Sequence, residues 1–133
     1  MRLYRRCTLP ILFLVLTSCG SWEFVDYEIP QGYVGWVSVH YGRETCPSYR
    51  ASWLTGVIAI GADGSACSTR AKPGEWVRSH FFYVDQAGAR IRELRYGTKG
   101  ASGSAIWSPN DSGDGLTNGF YVGSESQFNN QEP

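Results

Sequence analysis

The sequence predicts an all-β protein, a single small β-sandwich, with a small β-barrel as the alternative. Two observations favour this class. Seven or eight short apolar or aromatic segments recur at intervals of about 8–12 residues, and glycine-rich turns separate them. No window of about 11 residues repeats apolar side chains at i, i+3, i+4 and i+7, so no long amphipathic helix is expected.

The predicted strands follow one another along most of the chain. They are residues 22–29, 33–41, 57–60, 65–69, 77–84, 89–94, 105–107 and 119–123. In the second strand, Val37, Val39 and Tyr41 fall on one face, whereas Trp36 and His40 fall on the other. The turn at residues 62–64 predicts a hairpin between the third and fourth strands, and residues 85–88 predict one between the fifth and sixth.

The first eighteen residues differ in character from the rest. Arg2, Arg5 and Arg6 precede an apolar run at residues 9–16, which is too short to span a bilayer and is typical of a secretory signal. The run ends in Leu16-Thr17-Ser18-Cys19, which resembles the bacterial lipobox. That resemblance implies cleavage before Cys19 and attachment of lipid to its sulfur. A buried core helix and an ordinary signal peptide cleaved near Ser18 are the alternatives.

The predicted organisation has four parts. Residues 1–18 form a lipoprotein signal peptide, 19–22 a lipidated N-terminus and short tether, 23–128 the β-sandwich, and 129–133 a disordered tail. A palmitate-type anchor would hold the protein stably on a membrane, because stable anchoring takes more than one acyl chain. No Asp follows Cys19, which by resemblance to Gram-negative lipoproteins favours the outer membrane of the cell envelope.

Cysteine and charge content narrow the function classes. Cys7 lies in the leader and Cys19 is assigned to lipid, so Cys46 and Cys67 predict one disulfide in an oxidising compartment; a thiol nucleophile or metal pair is the alternative. The chain has 12 basic and 12 acidic residues, and loss of the three leader arginines leaves 9 against 12, a formal net charge of −3. This argues against a nucleic-acid partner.

Residues that could carry chemistry are few. His40 and His80 are the only histidines, and His40 is expected to be a surface or partly packed side chain. Residues 110–115 place oxygen ligands and a glycine as a calcium loop does, but position twelve is Tyr121, so a polar turn is preferred. Residues 100–104 approach G-x-S-x-G without its final glycine. No metal or cofactor is predicted.

Five tryptophans are the remaining signal, because aromatic side chains either build a small β core or anchor a partner. Trp36 and Trp107 are predicted to belong to the core. The predicted binding residues are Trp53, Trp76, Arg90 and Arg92.

Several segments together resemble an uncharacterised family of bacterial exported proteins and lipoproteins. They are residues 29–30, the GYVGWV segment at 32–37, Cys46-Pro47, Ile106-Trp107, the FYVGSE segment at 120–125 and Gln127-Phe128. The resemblance implies one exported domain and supplies no catalytic residue. The order of parts also resembles prealbumin-like and carboxypeptidase-regulatory-like sandwiches, at the level of fold alone, and the predicted sandwich is of the immunoglobulin or prealbumin type.

Two functions follow as hypotheses. The leading one is a membrane-anchored, non-enzymatic envelope module that binds an envelope protein or a glycan, with no nucleic acid involved. The alternative is a small cell-envelope hydrolase that uses His80 with acids such as Asp85 and Glu93. An exposed aromatic patch would favour binding, whereas a deep pocket with an acid and a histidine in contact would favour catalysis.

Overall fold

A computed structural model describes residues 24–52, 54–74 and 77–131. The predicted leader, Cys19 with its tether, Trp53, Trp76 and the last two residues lie outside the described residues. The described chain forms nine strands and one short helix. They are β1 Phe24–Pro30, β2 Gly35–His40, β3 Tyr49–Ala51, β4 Thr55–Ala59, β5 Ser65–Cys67, β6 Arg78–Val84, β7 Arg90–Leu94, β8 Ala105–Asp111, β9 Thr117–Gly123 and α1 Glu125–Asn129.

The strands form two sheets that pack face to face, which confirms the predicted sandwich. One sheet has the order β3-β4-β1-β6-β7 and the other β5-β2-β9-β8. The alternative of a closed barrel is wrong. Both sheets are mixed, because β1 pairs in parallel with β4 and β6, and β2 pairs in parallel with β5.

The core lies between the sheets and follows the period-2 alternation of the strands. Val25, Tyr27 and Ile29 point inward from β1, and Val37 and Val39 point inward from β2, as predicted for the second strand. An aromatic stack fills the centre, in which the ring centroids of Tyr27, Phe81 and Phe120 lie 4.9–5.3 Å apart. Such rings bury large apolar areas, so a domain of this size gains a substantial core from them.

The two predicted hairpins have different outcomes. Residues 85–88 do join β6 to β7 as an antiparallel pair. Residues 61–64 form a turn, but it carries the chain from β4 in one sheet to β5 in the other, so the predicted pairing of those strands is wrong. Gly64 adopts φ +82° there, and a Cβ would collide with the backbone oxygen of Trp36, so the turn packs directly against β2.

Two elements were not predicted. β3 has only three residues and pairs with β4 at the edge of the sheet. The helix α1 has five residues, too few for an apolar repeat to show in a long window. Its start is nevertheless marked by a capping box, in which Ser124 and Gln127 satisfy each other's backbone N–H groups. No described helix is long and apolar enough to cross a membrane.

At each edge of the sandwich, a different kind of bond ties the two sheets together. At one edge, Cys46 and Cys67 form the predicted disulfide, with Cα atoms 5.8 Å apart, and join the segment before β3 to the end of β5. At the other edge, the chain after β7 bonds to β8: Ile106 donates its N–H to the oxygen of Arg95, and Gly97 donates to the oxygen of Ile106.

Candidate functional site

The outer face of the five-stranded sheet carries two buried acids, and we call it the charged face. Asp26 and Glu28 alternate with the inward residues of the central strand β1, yet each is less than a tenth exposed. A buried carboxylate requires charged or hydrogen-bonding partners. Arg50 on β3 forms an ion pair with Glu28, and His80 Nδ1 on β6 lies 3.2 Å from Asp26 Oδ1.

Arg90 completes this network. Its Nη1 lies 2.9 Å from Asp26 Oδ2 and its Nε 3.1 Å from Glu28 Oε2, while the guanidinium lies 4.2 Å above the ring of Phe82. Burial alone would lower the pKa of Arg90, but its hydrogen bonds to Glu28 and Asp26 raise that pKa above the ordinary value. The predicted binding residue Arg90 is therefore committed to two acids of its own chain.

Arg92, the other predicted arginine, lies elsewhere. The pairing of β6 with β7 shifts register, so that Tyr83 opposes Arg92 and Val84 opposes Arg90. Ile91 is the extra residue of this bulge, which turns neighbouring side chains to different faces. Arg92 consequently shares a side with the inward Tyr83 and approaches Gly103, whereas Arg90 lies on the charged face. The two arginines do not form one site.

The residues suggested for hydrolysis are only partly brought together. His80 and Glu93 line one open groove of about 400 Å³. Asp85 lies beyond the other end of β6, where its Oδ1 accepts hydrogen bonds from the N–H groups of Ala87 and Ala89. It fixes the turn and is not a partner of His80. The acid that does contact His80 is Asp26.

The outer face of the four-stranded sheet carries four rings in mutual contact, and we call it the aromatic face. Trp36 on β2 meets the ring of Tyr121 on β9 edge-on at 5.5 Å. Phe128 of α1 stacks on Trp107 of β8 at 5.4 Å, and also meets Tyr121 at 5.5 Å and Trp36 at 6.5 Å. The segments that carry the family resemblance thus supply all four rings.

Hydrogen bonds and close packing fix this aromatic cluster. The indole Nε1 of Trp107 donates to the oxygen of Gly123 at 2.8 Å. Gly97 lies flat against the same indole, since a Cβ there would come within 2.5 Å of the ring. The capped helix α1 holds Phe128 over the sheet. The cluster is therefore preorganised rather than a set of loose surface side chains.

Trp36 and Trp107 were predicted to be core residues, and this prediction is wrong. Trp36 is 47% exposed and Trp107 is half-buried, because both side chains point away from the space between the sheets. Val34, which is 43% exposed, lies two residues before Trp36 and extends the apolar surface. The strand alternation that placed Val37 and Val39 inward already placed Trp36 outward.

The acidic loop between β8 and β9 is a turn, as preferred from the sequence. Asp111 pairs with Lys72 and accepts from the N–H of Gly113, which lowers the pKa of Asp111. A hydrogen bond from Ser112, together with bonds from Leu116 and Thr117, lowers the pKa of Asp114. Among the described residues, no group of three His, Cys, Asp or Glu side chains is arranged to hold a metal ion.

Sequence reasoning missed the network around Asp26, Glu28 and Arg50. A signal was present, because two acids alternate with three apolar residues along the first predicted strand. That pattern places both acids on one face, but it does not show that arginines from β3 and β7 cover them. His40, by contrast, is partly buried beside Thr117, as predicted.

Residues 25–127 match the family of unknown function DUF6843, and the chain belongs to that family. This confirms the resemblance to an uncharacterised family. The fold is also similar to a crystal structure of a Bacillus anthracis protein provisionally named as a lipoprotein, at 16% identity and a TM-score of 0.49. The match covers 74% of this chain and 66% of that one, just under two thirds of its length. A likeness at this level carries no functional information. No curated protein matches the chain in sequence.

Proposed function

We propose that this protein is a lipoprotein of the bacterial cell envelope, anchored through Cys19 and exported under residues 1–18. Its sandwich domain acts as a non-enzymatic binding module that holds an envelope component on the aromatic face. The anchor rests on the basic and apolar leader that ends in Leu16-Thr17-Ser18-Cys19. The outer membrane is the proposed destination, because Gly20 and Ser21 follow the cysteine.

The exposure of Trp36 is the observation that carries the binding function. An indole that is 47% exposed yet held edge-on by Tyr121 and near Phe128 offers a large contact area. A partner would order little more of this side chain on binding, so the entropic cost of association is small. Exposed aromatic anchors on rigid supports are typical of the residues that dominate binding energy.

The charged face supports binding less well. Its arginines and its histidine are already engaged with Asp26 and Glu28. A ligand that competed for Arg90 would leave these two buried acids with fewer cationic partners, and that electrostatic cost would offset the favourable interaction with the ligand. The predicted binding role of Arg90 is therefore replaced here by a structural one.

Crosslinking and pull-down from intact envelopes test the binding function. The lipid-anchored wild-type protein should capture a reproducible partner, and Trp36→Ala should reduce its recovery at least tenfold. Ile91→Ala is the matched control, since Ile91 is exposed to a similar extent, 46%, but lies on β7 of the other sheet. Equal recovery by wild type and Trp36→Ala would reject the aromatic face as the binding surface.

The anchor needs its own test. Metabolic labelling with a palmitate analogue should mark the wild-type protein and leave Cys19→Ala unlabelled. Membrane fractionation of the same cells then reports whether the labelled protein is in the outer membrane. Equal labelling of both proteins would refute the assignment of Cys19.

One contact favours a second candidate, a small envelope hydrolase. His80 Nδ1 faces Asp26, which orients the imidazole and leaves Nε2 directed away from the acid, as in a general base. The neighbouring groove, lined also by Glu93, is open rather than deep. Turnover of a peptidoglycan or ester substrate that His80→Ala abolishes, with the fold intact, would establish this candidate over the first.

A further inference from the structure

The sandwich has two ends that differ in their exposed side chains. We define the N-terminal end as the one where β1 begins at Phe24, and the far end as the one where β1 finishes at Pro30. Because β4 and β6 run parallel to β1, both also begin at the N-terminal end. β2 begins just after β1 finishes and runs back toward the N-terminal end. Its last residue, His40, pairs with Thr117 at the start of β9, so the turn between β8 and β9 also lies at the N-terminal end.

Two exposed leucines lie at the N-terminal end. Leu54, which is 46% exposed, accepts a hydrogen bond from the N–H of Phe24 through its backbone oxygen. Leu116 is 59% exposed and accepts in the same way from Tyr41, the residue after β2. Neither side chain belongs to the core or to the aromatic face, so their exposure is not explained by either.

Charge does not favour the far end over the N-terminal end as a lipid contact. Among the described residues, the N-terminal end carries Arg43, Arg70, Lys72 and Arg78 against Glu44, Asp111 and Asp114, and the far end carries Arg90, Arg92 and Lys99 against Asp63, Asp85 and Glu125. The N-terminal end therefore has a small cationic excess, and an anionic lipid surface would not repel it.

Chain length limits which end can meet a membrane. Five residue steps separate Cys19 from Phe24, so a fully extended tether reaches at most about 18 Å. The polar headgroup layer takes up about 5–8 Å of that reach. The seven residues of β1 span about 23 Å. A domain that rested on its far end would therefore hold Phe24 farther from the headgroups than the tether can reach.

We propose that the N-terminal end rests on the lipid surface, with Leu54 and Leu116 seated at the headgroup boundary. This inference rests on the proposed anchor at Cys19. Apolar side chains gain by leaving water at that boundary, as they do in proteins that lie on membranes. The contact fixes the orientation of the domain, so that β1 and β2 stand away from the bilayer and the aromatic face is turned sideways, free for a partner.

Fluorescence quenching on vesicles tests this orientation with the lipidated full-length product. Three variants, Leu54→Cys, Leu116→Cys and Ile91→Cys, each receive an environment-sensitive fluorophore. The native cysteines do not react, since Cys46 and Cys67 are bonded to each other and Cys19 carries lipid. Ile91 is the matched control: it is 46% exposed, as is Leu54, but lies near the far end.

The vesicles contain phosphatidylethanolamine and phosphatidylglycerol with a nitroxide at the headgroup level. The probes at positions 54 and 116 should lose at least half of their emission, and the probe at 91 should lose almost none. Adding Leu116→Asp to the Leu54→Cys protein should reduce its quenching at least twofold. Equal quenching at all three positions would overturn the proposal, as would no quenching while the protein still floats with the vesicles. Failure of the wild type to float would instead overturn the anchor itself.

Discussion

The charged face and the aromatic face cover the two sheets with different chemistry. On the charged face, each buried acid of β1 meets cationic partners from other strands, and the network is complete within the chain. On the aromatic face, four rings contact one another, but Trp36 keeps nearly half of its surface in water. The groups of the charged face are paired within the chain, whereas the aromatic face has exposed contact area.

This difference separates stability from binding. Buried charges lose much when one partner is removed, because the remaining charge has no compensation. An exposed aromatic ring on a rigid support costs little when it is removed, yet it can dominate an interface. Substitution of a buried ion pair should therefore mainly lower stability, whereas substitution of the exposed Trp36 should mainly change what the protein binds.

The largest expected effect comes from the core between the two sheets, which supports both faces. The hydroxyl groups of Tyr27 and Tyr41 lie 2.8 Å apart in the core, and burial raises the pKa of both phenols above the ordinary value of 10. A phenol whose folded pKa exceeds its unfolded value stabilises the protein fully below about pH 10, and this contribution is lost as pH rises further. We expect the whole sandwich to unfold at alkaline pH above 10, with both faces lost together.

Parallel measurements of phenolate absorbance and circular dichroism check this expectation. The last phenolates should appear together with the loss of β structure. Replacing both residues, Tyr27→Phe with Tyr41→Phe, should move the alkaline transition to higher pH. Complete phenol ionisation in a protein that keeps its β spectrum would contradict the prediction.

The next effect is expected on the charged face. Arg90→Ala leaves Asp26 and Glu28 with fewer partners, and should lower the free energy of unfolding by about 2 kcal/mol. The value lies below that of a fully buried pair because Arg90 is partly exposed and Arg50 and His80 remain. Urea denaturation measures the change.

Arg92→Ala is the matched control for that measurement, because it removes the same side chain two residues away on β7. It should change stability by no more than about 0.5 kcal/mol. Similar losses in both variants would mean that the bulge at Ile91 does not divide the two arginines between different surroundings.

A smaller effect is expected when the aromatic face loses its cover. Phe128→Ala removes a half-buried ring that stacks on Trp107, and should cost about 1–2 kcal/mol. Tryptophan emission should shift to longer wavelength, since Trp36 and Trp107 become more hydrated. Asn129→Ala, an exposed change in the same helix, should leave the spectrum as it is in the wild type.

The smallest effect is expected at the start of α1. Ser124→Ala removes the side-chain acceptor for the N–H of Gln127 and should cost about 0.5–1 kcal/mol. Ser124→Asp keeps an acceptor and should restore most of the stability. If Ser124→Ala unfolds at the same denaturant concentration as the wild type, the cap is not what holds the helix over the aromatic face.

Some of this structure could be predicted from the sequence, because its signal is local. The alternation of Val37 and Val39, the turn at residues 85–88 and the two leftover cysteines each identify their element without reference to the rest of the chain. The sandwich class follows from the number and spacing of such segments. The leader and Cys19 stay predictions.

The remaining features depend on which strands become neighbours, and alternation within a strand does not encode that. The turn at 61–64 contains the residues of a hairpin, but the parallel pairing of β5 with β2 decides its use. The bulge at Ile91 places Arg90 over the acids of β1, and no residue type marks it. Trp36 was assigned to the core by its size, although its strand position already turned it outward.

The disulfide and the bonds between Arg95, Gly97 and Ile106 affect the tendency of the protein to aggregate at high concentration. A sheet whose last strand exposes free N–H and C=O groups is a template on which other chains can add strands and polymerise. Here two main-chain bonds at Ile106 tie one border together, and the other ends in strands of only three residues beside the Cys46–Cys67 disulfide. Copies packed side by side therefore meet one border already crossed by main-chain bonds at Ile106, and another formed by strands too short to template a long ladder.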